Sequence, residues 1–267
     1  LIDSCLSVFH DSKEDTVQTN AIKTIIEQSW DENVWPRYNQ WLYDHVKIKL
    51  KNNLPAKVKR NLLFSYASAI NNIGYLNSST GNFPKALLYY EKSLELQEKL
   101  GDKEGAATSF NNIGAIHNRQ GDVIKALSNY HKGLDIHTEI KNVQGMAGTL
   151  NNIGHIYQTQ NEPDLALKYL NKSLEKFKSL QNKRGIATLL NSIGFIYFNK
   201  DENEKALTYY EEALAMRYEI GDVKGAASTL NNIATVYENQ NNIEKAMEQY
   251  EKCLKIYETV ETKSIAS

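Results

Sequence analysis

Leu150-Asn151-Asn152-Ile153-Gly154 is one of five closely matching phrases that return every forty residues. The others are Ile70-Asn71-Asn72-Ile73-Gly74, Phe110-Asn111-Asn112-Ile113-Gly114, Leu190-Asn191-Ser192-Ile193-Gly194 and Leu230-Asn231-Asn232-Ile233-Ala234. A fixed period of this length marks a stacked array of supersecondary units, none of which can bury its apolar face alone. The 267 residues therefore read as one array growing along a continuous core.

The unit around Asn111 shows the plan. Asp102 is placed to cap a first helix of about 104–120, Gly121-Asp122 forms the turn, and a second helix runs over about 123–140. Asn82 and Asn242 stand where Asp122 stands, with Glu162 and Glu202 as poorer caps, and Pro163 falls at a first helical position. Gly74, Gly114, Gly154, Gly194 and Ala234 recur in the first helix, and Ala86, Ala126, Ala166, Ala206 and Ala246 in the second. Glycine inside a helix costs about 1 kcal/mol against alanine, so its regular return implies close helix packing. Apolar ridges fill the rest: the isoleucine of each phrase, then Leu87, Leu127, Leu167, Leu207 and Met247, and Leu94, Leu134, Leu174, Leu214 and Leu254.

Residues 1–56 fit the period poorly. Helical spacing over 1–9, 16–30 and 34–50 suggests a degenerate helical capping unit, and all three tryptophans, Trp30, Trp35 and Trp41, fall within it. Bulky rings there either close the end of the core or form an aromatic binding patch. Lys47, Lys49, Lys51, Lys57, Lys59 and Arg60 make a basic run without an acidic residue, which reads as a solvated helix end and linker or as a phosphate or lipid contact. Residues 57–260 hold the five units. Lys263-Ser264-Ile265-Ala266-Ser267 echoes Lys224-Gly225-Ala226-Ala227-Ser228, so 261–267 reads as the start of a truncated further repeat. The chain opens at Leu1 without a methionine, as a fragment or processed form would.

These residues resemble the tetratricopeptide repeat. Ile113 and Gly114, then Ala126, Tyr130 and the small Gly133, occupy that family's signature places, as do Ala206, Tyr210 and Ala213, and Ala246, Tyr250 and Cys253. Asn77 and His117 depart from the tyrosine found at Tyr157, Tyr197 and Tyr237, and Leu170 departs from tyrosine in the second helix. The resemblance implies an all-α fold, a right-handed superhelical solenoid of antiparallel helix pairs. The forty-residue period is similar to the arrays of kinesin light chain and of spindle-orientation adaptors. The wording Asn-Asn-Ile-Gly, Lys-Ala-Leu and Gly-Asp-Lys-Glu-Gly is similar to arrays of Bacteroidetes-type sensor histidine kinases, nucleotide cyclases and DNA-binding regulators. Such a setting implies that an output domain follows.

A formal charge of −1 supplies no field for nucleic acid or an acidic membrane, and no nucleic-acid contact is expected. No apolar run approaches membrane-helix length in this stretch. A bacterial cytoplasmic or periplasmic location fits equally. Phosphate loops, nucleophile elbows, paired metal-binding histidines and Cys-x-x-Cys pairs are missing, so no catalytic residue, metal ligand or cofactor is assigned. His117, His131 and His137 lack ligand spacing, Cys253 reads as a buried thiol, and Cys5 lies too far from it in the array for a disulfide.

What remains is the groove. The resemblance implies that first helices line a concave face and that Asn71, Asn111, Asn151, Asn191 and Asn231 point into it. An amide both donates and accepts, which suits a peptide backbone of any sequence. The alternative is that these amides bond to adjacent helices and only set the stacking. The second asparagines, Asn72, Asn112, Asn152 and Asn232, turn about 100° away and suit that structural role. One turn later the residues vary, through Tyr75, Ala115, His155, Phe195 and Thr235, as selective pockets would require. Phe195 with Phe198 would form an apolar pocket, and Arg119 is placed to receive a carboxylate. The sequence thus points to a protein- or peptide-binding scaffold, the sensory or interaction region of a larger bacterial signalling protein. A free-standing adaptor or a self-association module, with a homo-oligomer of the full-length protein, is the alternative.

Overall fold

The computed structural model describes residues 2–12, 15–29 and 34–265, so Trp30, Ala266 and Ser267 lie outside it. Among the described residues the chain forms thirteen α-helices and no strand, which makes it an all-α helical repeat fold. It divides into two compact units, Leu1–Lys141 and Asn142–Ser267. The first holds α1 (Ile2–Asp11), α2 (Asp15–Gln28), α3 (Trp35–Lys49), α4 (Ala56–Ser79), α5 (Phe83–Leu100), α6 (Lys103–Arg119) and α7 (Val123–Glu139). The second holds α8 (Val143–Thr159), α9 (Pro163–Ser179), α10 (Lys183–Asn199), α11 (Asn203–Glu219), α12 (Val223–Asn239) and α13 (Ile243–Ile265). Even-numbered helices from α4 onward carry the asparagine phrases, and each packs on its odd-numbered successor.

Left-handed backbone ends the helices at a regular beat. Gly81, Gly101, Gly121 and Gly221 take positive φ, and Lys141, Asn161, Gln181, Asp201 and Asn241 take it without glycine, at φ of 53–59°. The next residue then caps the following helix. Asn82, Asp102, Asp122, Asn142, Asn182 and Asp222 each accept a hydrogen bond from the backbone N–H three residues on, whereas Glu162 and Glu202 make no such bond. Their longer side chains overshoot the first turn, as expected for the poorer caps.

The glycines of the phrases sit against rings. A Cβ on Gly74 would lie 2.7 Å from the Tyr90 ring, on Gly114 3.0 Å from Tyr130, and on Gly194 2.9 Å from Tyr210. In the Gly154 repeat Leu170 fills the place of the ring, and the clearance is again 2.7 Å. Burial pushes the Tyr90 phenol up to about 12, with Arg119 opposing the shift. Deeper in three of the five pairs a small polar side chain ties the helices together: Ser93 Oγ donates to Ala67 O at 2.8 Å, Ser173 Oγ to Ala147 O at 2.7 Å, and Cys253 Sγ to Ala227 O at 3.3 Å, while Gly133 and Ala213 hold the equivalent places in the other two. Cys253 is buried, and burial pushes its thiol pKa up.

The N-terminal helices close the first unit. Ile22, Ile25, Leu42, Val46, Leu62 and Ala69 form a core onto which Phe9, Trp41 and Leu50 pack. Trp41 stacks on His45 and meets Phe9 edge-on, so this tryptophan serves the core. In the basic run, Arg60 Nη2 donates to Leu100 O at 2.6 Å and covers an otherwise unpaired carbonyl at the end of α5.

Two features of the last repeat differ from expectation. Met247 and Leu254 stand in core ridges, yet they are 57% and 58% exposed. Their equivalents Leu207 and Leu174 are buried under α12 and α10 respectively, and no described helix lies over α13. Helix α13 also runs unbroken to Ile265, through the place where a sixth unit was expected to begin.

Candidate functional site

The paired amides of the phrases form a relay between neighbouring helices. Asn112 Nδ2 donates to Asn71 Oδ1 at 3.0 Å, and Asn71 Nδ2 donates to Ser109 Oγ at 2.8 Å. In the second unit Asn232 Nδ2 donates to Asn191 Oδ1 at 3.1 Å, and Thr229 Oγ1 adds a bond of 3.3 Å. The second asparagine therefore does reach the preceding repeat, and it engages the carbonyl of the first. Asn72 donates in the same way to Asn39 Oδ1 at 2.9 Å, and fully buried Asn39 passes the relay on to Ala69 O. Asn39 went unnoticed in the sequence because it stands outside the forty-residue beat.

The five first asparagines thus differ. Asn71 is 9% exposed with both ends of its amide engaged, and Asn191 has its oxygen taken. Asn111 Nδ2 faces His137 Nε2 at 3.4 Å. Asn231 is exposed, and Asn151 is half-buried without a side-chain hydrogen bond inside its unit. The variable residues one turn on are more open: Tyr75 is 52% and Phe195 41% exposed, and His155 is exposed as well. Phe198 packs on the core of Ala206, Tyr210 and Val236, whereas Phe195 is exposed. Spacing of three residues placed them near one face, but helix-to-helix packing takes the second ring inward. Arg119, an exposed residue, donates from Nη1 to Ser78 Oγ at 3.2 Å and to Ser78 O, which ties it to the preceding first helix.

Two cavities open beside first asparagines. In the first unit a cavity of about 560 Å³ is lined by Trp35, Asn71, Asn72, Tyr75, Asp102 and Glu104, among others. Trp35 and Tyr75 line it side by side, in tilted ring contact with centres 6.0 Å apart. In the second unit a cavity of about 280 Å³ is lined by Gln144, Asn151, Phe177, Asn182, Arg184, Gly185, Thr188 and Leu189. The two use equivalent positions eighty residues apart: Asn71 and Asn151, Gln97 and Phe177, Asp102 and Asn182, Glu104 and Arg184, Gly105 and Gly185, Thr108 and Thr188. The same slot therefore carries carboxylates in one unit and a guanidinium in the other.

The residue beneath each slot is one that pattern reading missed. Gln97, His137, Phe177 and Arg217 recur at forty residues near the end of each second helix, and all are buried. Gly105, Gly185 and Gly225 make room for them: an added Cβ would meet the Gln97 amide, the Phe177 ring or the Arg217 guanidinium at 2.6–2.7 Å. Their chemistry changes from unit to unit, which hid the position from a search for constant letters. The recurring glycine opposite was the available signal. Burial lowers the pKa of His137, with Glu104 acting in the opposite direction. Burial likewise lowers that of Arg217, which Asp222 opposes, and the Arg217 side chain donates to Gly225 O. Among the described residues no group of three His, Cys, Asp or Glu side chains is placed to hold a metal, and no helix is long and apolar enough to cross a membrane.

This architecture is similar to that of known repeat proteins. BtubC (BKLC) from P. vanneervenii superposes with a TM-score of 0.73 at 20% identity, over 85% of this chain and 91% of that one. A Rap protein complexed with competence and sporulation factor gives 0.64 at 14% identity, over 96% and 74%. A kinesin light chain-like protein of Podosopora anserina with nearly identical TPR-like repeats gives 0.61 at 12% identity, over 73% and 96%. At these identities the likeness is one of fold. No curated protein sequence matches the chain. A tetratricopeptide repeat model matches residues 65–122, 105–179 and 185–259, more than half of the sequence, in register with the helix pairs, ring-bearing glycines and amide relays described above. The chain belongs to the tetratricopeptide repeat family.

Proposed function

We propose that this chain is a non-enzymatic scaffold that holds an extended peptide segment of a partner protein along its first helices. The observation that carries this reading is the return of one slot, at equivalent positions, with different side chains. A catalytic centre is a single constellation, whereas a slot repeated with the array suits a ligand whose backbone also repeats, at ~3.3 Å per residue. Trp35 and Tyr75 offer rigid aromatic walls in the larger slot, and such rings gain contact area at small entropic cost. The Rap protein solved with competence and sporulation factor supports the idea that this fold accommodates a bound factor. The wording of the repeats supports a place within a larger bacterial signal-transduction protein, where capture would bias an attached output domain between states.

The test is selection from a displayed library of random peptides of about ten residues, enough at ~3.3 Å each to cover about three repeats. Selected peptides should bind wild type in solution and bind Trp35→Ala about tenfold more weakly, a loss of about 1.4 kcal/mol. Absence of any peptide enriched over bare support would refute the reading.

A further inference from the structure

We propose that the slot between α8 and α10 recognises an acidic residue of the bound peptide beside an apolar one. Asn151 holds the peptide backbone, Arg184 the side-chain carboxylate, and Phe177 with Leu189 the apolar side chain. This rests on the peptide-binding reading above and specifies what one slot selects.

The first argument is the freedom of the Asn151 amide. The relay needs a hydroxyl thirty-eight residues after each first asparagine and an amide forty-one residues after it, as Ser109 and Asn112 provide for Asn71 and as Thr229 and Asn232 provide for Asn191. For Asn151 both places are changed. Leu189 replaces the hydroxyl, and Ser192 replaces the amide and donates to Thr188 O at 3.2 Å instead. Among the described residues Asn151 consequently makes no side-chain hydrogen bond within its unit, yet it lines a cavity. An amide with donor and acceptor both open is matched by a peptide unit, which presents one of each.

The second argument is charge. Arg184 is the one charged side chain lining the cavity, no Asp or Glu lines it, and Arg184 is exposed with no ion pair among the described residues. Asp102 and Glu104 occupy the equivalent places in the first unit, so the preference for a carboxylate belongs to this slot alone of the two. The third argument is size and floor. A volume of about 280 Å³ falls short of the ~300–1,000 Å³ usual for free-standing small ligands and suits one or two side chains of a longer chain. Phe177 and Leu189 are 8% and 1% exposed and form an apolar floor. Gln144 and Asn151 stand two turns apart on α8, ~10 Å, a span of about three extended residues.

The probe is a set of arrayed peptide pools of about ten residues, randomised except for a central Glu-Leu, Gln-Leu or Lys-Leu. Wild type should retain the Glu-Leu pool about tenfold better than the Gln-Leu pool. Arg184→Glu should reverse the order in favour of Lys-Leu. Ser192→Asn, which restores the amide that Asn191 receives from Asn232, should occupy Asn151 from within. It should weaken all pools together while leaving the thermal melting temperature equal or higher. That combination separates a ligand-holding amide from a merely structural one. Pools that bind wild type without acidic preference, or that bind Arg184→Glu and Ser192→Asn as they bind wild type, would overturn this assignment and leave the scaffold reading standing. Failure of every pool to bind wild type would overturn both.

Discussion

A matched pair of glycine substitutions in the second unit measures how closely its helices are packed. Gly194 and Gly148 are both interior to helices, α10 and α8. Alanine at either should add about 1 kcal/mol through helix propensity. At Gly148 nothing lies within 4 Å of the new Cβ, so Gly148→Ala should keep that gain. At Gly194 the Cβ would lie 2.9 Å from two ring carbons of Tyr210 and 3.3 Å from Ala206 O. Tyr210 is 1% exposed and has no space into which to retreat. Overpacking of this kind costs typically about 1–3 kcal/mol, which offsets or outweighs the propensity gain, and Gly194→Ala should be destabilised by up to about 2 kcal/mol. The two variants should therefore differ by the overpacking cost, about 1–3 kcal/mol, several degrees in Tm for a chain of this size. Urea titration followed by far-UV circular dichroism gives the comparison. Gly194→Ala at or above the stability of Gly148→Ala would refute the close-approach argument. The last repeat bears on the same point: Ala234 takes the glycine's place there, and Tyr250 is 37% exposed and donates to Glu238 Oε2 at 3.0 Å.

Two further outcomes follow from buried polar groups. His137 is 3% exposed and its pKa is lowered from 6.5, so the unfolded chain takes up the proton first as pH falls. The stability that neutral His137 contributes is present above pH 6.5 and is lost as pH falls through the lower folded value. His137→Gln, which places there the residue found at Gln97, should flatten that acid loss in melting curves taken between about pH 7.5 and about pH 5. An unchanged pH profile would remove His137 from the account. Asn72→Ala removes the donor to fully buried Asn39 Oδ1 and should cost about 1–3 kcal/mol in urea denaturation. A cost near zero would show that the relay contributes little to the stack.

Fold and site were legible to different depths. The helix pairs, their caps and the role of the glycines follow from spacing, because capping, left-handed turns and close approach each demand particular residue types at particular offsets. Even the weak caps, Glu162 and Glu202, were marked by their letters. The site was less legible. Phe195 and Phe198 share a helical face in projection, but only the neighbouring helices decide that Phe198 turns into the core. Arg119 was placed by sequence on a surface, and Ser78, forty-one residues earlier, holds it there. Trp30, Trp35 and Trp41 carry one letter; of the two described, Trp41 fills core and Trp35 lines a cavity.

By itself the sequence determined the period, the all-α repeat and the identity of the amides that mark each unit. Those features are local, set by side chains within a few turns of one another, and a repeating pattern records them five times over. Tertiary structure decided which amides are available. Asn71 and Asn191 are engaged, and Asn151 is open, because of residues thirty-eight and forty-one positions further along the chain. A hydrogen-bonding group is free only when every neighbour that packing brings to it lacks a complementary atom, and that condition is written between repeats and not within one.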